Sequence, residues 1–253
     1  MMTETILVGW RMFRRDAPIR LVVTVFWTRS VVECLLYTTL GLVGGGSAGA
    51  DRAFVGAVVL ATAFYAVALV TDVPQRDRWD GTYPRLAIGE AFPYLAFLLR
   101  SLPYMLNAVV GAAVALVVVG LATGRAGTVL DLLPAVPLLL VGTASCVAVG
   151  LCIVMPAIGS RLDVVSYNVM LGLMVICSGA VIPRGTTPLL DDIGTALPLT
   201  HTISAVRAVQ AGRPFWSAVG AECVVALSWG LAGALLLAAL QHRGRSRGTG
   251  VFA

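Results

Sequence analysis

Lysine is absent: all 18 strongly basic side chains of this 253-residue sequence are arginine. A phosphate-binding loop of the form G-x-x-x-x-G-K-[ST] needs a lysine to reach the terminal phosphates of a nucleotide, so ATP hydrolysis by this chain is not expected. Charge is also scarce. Only 12% of residues are charged and 58% are hydrophobic, with a mean hydropathy of +0.89. Soluble domains carry roughly 25% charged residues, which excludes that class. Histidine is limited to His201 and His242, neither beside a serine or cysteine that could act as nucleophile, and G-x-S-x-G does not occur. The sequence therefore predicts no catalytic residues. The cysteines, Cys34, Cys146, Cys152, Cys177 and Cys223, fall inside apolar runs without C-x-x-C spacing and read as small apolar residues. No metal site is expected.

Long apolar runs are what the sequence does have. They lie at 21–43, 53–73, 97–121, 133–158, 164–182 and 217–239. About 20 residues suffice to cross a hydrocarbon layer of about 30 Å, so the predicted fold class is an all-α polytopic membrane protein with six spans, forming one transmembrane domain over 1–253. No cleavable leader is expected, because the arginines of MTETILVGWRMFRRDAP follow its apolar residues. Sorting the arginines by loop places eleven on one side of the membrane and five on the other, with Arg29 and Arg100 inside or at the edge of spans. By the positive-inside rule both termini and the 74–96 loop are cytoplasmic and 183–216 is external. The basic stretch within 240–253 reads as a cytoplasmic tail that fixes topology.

Between the spans the pattern changes. Residues 3–16 put Ile6, Leu7, Trp10 and Phe13 on one helical face and Arg11, Arg14 and Arg15 on another, the signature of a helix lying in the interface. GLVGGGSAGADR, 41–52, reads as a flexible turn. The 74–96 loop mixes apolar bulk (Trp79, Tyr83, Leu86) with charge, as a docking surface does. In 183–216 two short helices are expected: one N-capped by Thr187 with Pro188 at its first position and Asp191 and Asp192 near its start, the other capped by Thr200 and closed by Gly212. Arg29 and Glu33, spaced i,i+4 on the first span, should pair and face the bundle or a dimer interface, since each would cost roughly 2.5–3.5 kcal/mol against lipid. Arg100 and Asp72 need only snorkel. His201 reads as an interfacial hydrogen-bonding residue.

DRWDGTYPR at 77–85 partly matches the opening of the CDP-alcohol phosphatidyltransferase motif. Pro84 replaces its small residue, however, and the next 24 residues contain no aspartate to complete a metal site. A different resemblance covers nearly the whole chain. SGAVIPRGTTPLL (178–190) followed by ALPLTHTISAVRAVQAG (196–212), with DGT (80–82) after the second span, resembles the permease subunits of type 2 ABC exporters. The resemblance implies a dimer of this chain with itself or a sister permease, and separate ABC ATPase subunits that bind ATP and magnesium. It implies a coupling helix over 79–90 carrying Trp79, Asp80, Gly81, Tyr83, Leu86 and Glu90. It also implies an external gate of re-entrant helices with Pro183, Pro188, Asp191, Asp192, Pro198 and His201. Arg29, Glu33, Asn107 and Asn168, the few polar groups of the spans, are then candidates for a translocation path or bundle interior. A multi-pass protein of the cytoplasmic membrane exporting a hydrophobic or amphiphilic drug, antibiotic or lipid is implied, with no nucleic-acid partner. The competing class is a secondary transporter, which the lack of paired discontinuous repeats disfavours.

Overall fold

A computed structural model describes residues 2–82, 92–158 and 162–246, with side chains except at Asp163 and 244–246. Every regular element among these residues is helical. Helix α1 (Met2–Asp16) is followed by Ile19–Leu21 and a π-helical turn, Val22–Trp27, that lead into α2 (Thr28–Leu60). Next come α3 (Ala63–Trp79), α4 (Pro93–Ala122), α5 (Ala126–Leu132) and, after a 3-10 turn at Leu133–Leu138, α6 (Leu139–Val154). The order closes with α7 (Leu162–Cys177), α8 (Pro188–Ala196), α9 (Thr200–Gln210) and α10 (Trp216–Ser246).

The first two legs form a hairpin. Gly45 (φ −146°, ψ 16°) and Gly46 (φ 63°, ψ −153°) break the helical path inside α2, and only glycine enters the second of these conformations without strain. The legs touch at once beyond the break: a Cβ on Gly41 would collide with the Gly49 carbonyl and with Ala53. The expected flexible turn at 41–52 is thus a tight helical reversal, because glycine and alanine on both legs remove the side chains that would hold them apart. From Ala53 onward the second leg, continuing through most of α3, is the buried centre of the bundle.

Around it pack α4, α6 and α7, while α10 runs along α6. Small residues set these distances. Gly150 of α6 lies so near α3 that a Cβ there would sit 2.9 Å from the Val67 carbonyl oxygen, the close backbone approach that drives helix association where lipid is as apolar as leucine. Helix α1 stays outside the bundle and lies against α4, with Gly9 facing the Arg100 backbone and Phe13 edge-on to Tyr104 at 5.1 Å. Four helical stretches, Ile19–Trp79, Pro93–Ala122, Ala126–Ala157 and Trp216–Arg243, are long and apolar enough to cross a membrane, and Val164–Cys177 is a shorter apolar helix. The first of these contains the hairpin. The chain is an all-α polytopic membrane protein.

Candidate functional site

The bundle has two polar ends. At one, the 183–216 segment packs beside the hairpin turn: Arg207 of α9 donates to the Arg52 carbonyl (3.2 Å), and Arg125 pairs with Asp51 at 2.7 Å. Burial, and after it the neighbouring Arg52, lowers the pKa of the Arg207 guanidinium to about 10. At the other end, about 40 Å along the second leg at 1.5 Å per residue, α3 stops at Trp79.

That stop is built from the DGT triplet. Gly81 has φ 64°, the Gly81 N–H bonds to the Arg78 carbonyl (3.1 Å) and the Thr82 N–H to the Asp77 carbonyl (2.8 Å), a Schellman closure that satisfies two terminal carbonyls. The Thr82 hydroxyl also donates to Asp77 Oδ1 at 2.7 Å. Across from it, Arg100 Nη1 lies 2.8 and 2.6 Å from the two Asp77 oxygens, with the side chains only 12% and 6% exposed. Arg100 therefore does not snorkel as the sequence suggested; it is buried and paired. Arg76 reaches Asp16 at the end of α1 (2.6 Å), so α1, α3 and α4 are joined by two ion pairs at this end. Trp79, Asp80 and Gly81 are exposed at the end of α3. Tyr83, Leu86 and Glu90 lie outside the described residues.

The opposite end contains the two short helices. Helix α8 begins at Pro188 after Thr187, whose side chain makes no capping bond. Asp191 instead accepts from the Gly185 N–H (2.7 Å) and pairs with Arg184 (3.6 Å), fixing the loop before the helix. Pro183 and Asp192 are exposed and Pro198 is buried. The terminal carbonyls of α8 are met from outside: Trp229 Nε1 donates to Ala196 (2.9 Å) and His201 Nε2 to Thr195 (3.1 Å), so His201 is a hydrogen-bonding residue. Helix α9 closes as the sequence indicates, with Gly212 at φ 63° and the Arg213 N–H on the Ala208 carbonyl (2.8 Å).

Its start differs from expectation. Thr200 is not the cap; the residue before the helix is Leu199, fully buried and held at φ 72°. The capping group comes from α10. Glu222, fully buried, accepts the Leu199 N–H on Oε1 and the Thr202 N–H on Oε2, each at 2.9 Å, and the Ser145 hydroxyl of α6 donates to Oε1. A carboxylate on the first N–H groups of a helix is favoured by the dipole and replaces the missing cap, offsetting the roughly 1–2 kcal/mol cost of the left-handed leucine. Among the described residues no basic side chain pairs with it. Sequence reasoning missed Glu222; its one signal is a carboxylate inside an apolar run, the anomaly that flagged Glu33.

The four polar candidates of the spans divide between two places. Arg29 and Glu33 pair at 2.7 Å, the Arg29 guanidinium stacks 3.4 Å from the Phe64 ring centre, and both line a cavity of about 240 Å³ together with Asn168. Their side chains are 43% and 25% exposed in the single chain, so the pair opens onto the bundle's outer face rather than its interior. Asn107 lies elsewhere, accepting from Trp27 Nε1 (3.3 Å) beside α1.

A family model for the ABC-2 type transporter matches residues 3–211, covering α1, the hairpin and both short helices. The chain belongs to the ABC-2 type transporter family. Searches of curated proteins and of solved structures gave no match. As an ABC-2 membrane domain it is a transmembrane subunit of a transporter of this type, a class that works with ABC ATPase subunits.

Proposed function

We propose that this chain is the permease of an ATP-driven exporter with six crossings in the cytoplasmic membrane and both termini in the cytoplasm, acting as a dimer with itself or a sister permease. Separate subunits bind ATP and magnesium and hydrolyse the nucleotide. The observation that carries this reading is the placement of the ion-paired loop base, Asp77–Arg100 with Thr82, at the end of the bundle opposite the α8–α9 pair that Glu222 docks. Movement of an ATPase against the 79–90 segment acts directly on α3 and α4 through that base, and the rigid second leg carries it to the helices at the far end. The Arg29, Glu33, Asn168 cavity lies on the α2, α3 and α7 face, and a second permease opposite would convert it into part of a path. The scarcity of polar side chains along the spans favours a hydrophobic or amphiphilic cargo such as a drug, antibiotic or lipid.

Purification of the chain from its native source, followed by identification of co-purifying ATPases and measurement of ATP-dependent efflux in inverted vesicles, tests the proposal. Uptake into inverted vesicles that requires hydrolysable ATP is expected. Transport that persists without ATP and collapses when the proton gradient is dissipated would instead establish a secondary transporter.

A further inference from the structure

The remaining polar candidate of the spans, Asn107, lies in a separate cavity of about 550 Å³ between α1, the start of the first leg and α4. The walls are apolar and aromatic: Trp10 and Phe13 from α1, Trp27 from the π-helical turn, Val110 from α4. Arg14 lines one edge, exposed and with no ion-pair partner among the described residues. Asn107 lines it deeper in the layer and is only 8% exposed. Its orientation is fixed, because an indole N–H can only donate, so the Trp27 contact assigns the amide oxygen. The Asn107 Nδ2 that remains is a buried donor without a partner. An unpaired buried donor costs on the order of 1–3 kcal/mol, so a ligand acceptor is the natural complement.

We propose that this cavity is a binding site for one membrane phospholipid with an anionic headgroup. The cavity runs from the surface helix α1 to Trp27, eight residues or about 12 Å into the first leg, which is the span from a headgroup to the upper acyl chain. The phosphate pairs with Arg14 and an ester carbonyl, the acceptor that a phospholipid carries at the edge of its chains, takes the Asn107 N–H. The acyl chain lies along Phe13, Trp27 and Val110. Charge complementarity selects the headgroup: of the exposed arginines on this part of the chain, Arg14 is the one that lines the cavity. The π-helical turn contributes by widening the wall on which Val22 and Trp27 stand. The site requires only that the chain spans a bilayer and is separate from the Arg29, Glu33, Asn168 cavity.

The test uses a variant retaining only Trp27 (Trp10→Phe, Trp79→Phe, Trp216→Phe, Trp229→Phe) in nanodiscs doped with brominated phosphatidylglycerol or brominated phosphatidylcholine. The anionic lipid should half-quench Trp27 at a mole fraction roughly fivefold lower, the discrimination expected of one arginine at an anionic surface. Arg14→Gln should remove that preference, and Asn107→Leu should weaken quenching by both lipids alike, since both carry the ester. Equal quenching by the two headgroups, a preference unchanged in Arg14→Gln, or no quenching by either, as when a second copy of the chain covers the face, would overturn the proposal. If the four-fold variant does not fold, native mass spectrometry of the delipidated wild type titrated with each lipid decides: one more phosphatidylglycerol is expected on the wild type than on Arg14→Gln, and equal numbers reject the site.

Discussion

Arg100 places one guanidinium nitrogen between both carboxylate oxygens of Asp77, tying the start of α4 to the end of α3. The pair fixes the spacing of the two helix ends. Removing one member leaves the other charge buried, which typically costs about 3–5 kcal/mol, whereas removing both costs much less. Asp77→Ala should therefore lower thermal stability in detergent more than the double change Asp77→Ala, Arg100→Met. Equal losses in a melting series would show that the contact does not couple the helices.

Glu222→Ala strips the acceptor from two buried N–H groups and from Ser145. An orphaned buried donor costs on the order of 1–3 kcal/mol, so a destabilisation of several kcal/mol is expected. Glu222→Gln keeps one acceptor oxygen and should fall between Ala and wild type. Protection of the α9 amides measured by hydrogen exchange should fall in the same order, while α4 amides keep theirs.

The Arg29 pair is supported from two directions, by Glu33 and by the Phe64 face. Glu33→Ala leaves a charge in the membrane layer at a cost of roughly 2.5–3.5 kcal/mol, so membrane yield should fall further in Glu33→Ala than in the double change with Arg29→Ala. Phe64→Leu removes a cation–π contact of about 0.5–2 kcal/mol and should produce a smaller loss. Additive single and double effects would separate the residues.

Topology is read most clearly from positions the fold leaves open. Cysteines at Val43 and Gly185, both exposed, should react with an impermeant thiol reagent on intact cells after Cys223 is replaced; one at Asp80 should react only in permeabilised cells. Ala50 and Gln75, which look suitable from the sequence, are buried and would report nothing. Labelling at Asp80 from outside would invert the assigned orientation.

Patterns confined to a short stretch were legible in the sequence. The two-faced α1 and the Pro188 and Gly212 boundaries are local, and each is where the sequence pattern placed it. Relationships between distant residues were not. Thr200 satisfies every local rule for a cap, yet its hydroxyl is buried without a partner because Glu222, 20 residues or more along the chain, arrives first at the amides. Arg100 looks like a snorkelling residue until α3 brings Asp77 beside it. The triple glycine at 44–46 reads as loose chain, and only the pairing of Gly41 with Gly49 and Ala53 makes it a hairpin. The sequence offers Arg29, Glu33, Asn107 and Asn168 as one set; the fold brings three of them to one cavity and Asn107 to another, a division that depends on how α1 lies on α4.

The π-helical turn at Val22–Trp27 acts as a phase setter for the first leg. One surplus residue in a helix turns everything beyond it by about 100°, so the azimuth of Arg29 and Glu33 is decided upstream of them, by how the chain is wound at its entry. The winding is held from the second leg, where the Tyr65 hydroxyl donates to the Phe26 carbonyl and itself accepts from the Ser30 hydroxyl at 3.5 Å. Deleting a single apolar residue there would leave every charge intact, with composition and hydropathy almost unchanged, and still swing the charged pair off the Phe64 face.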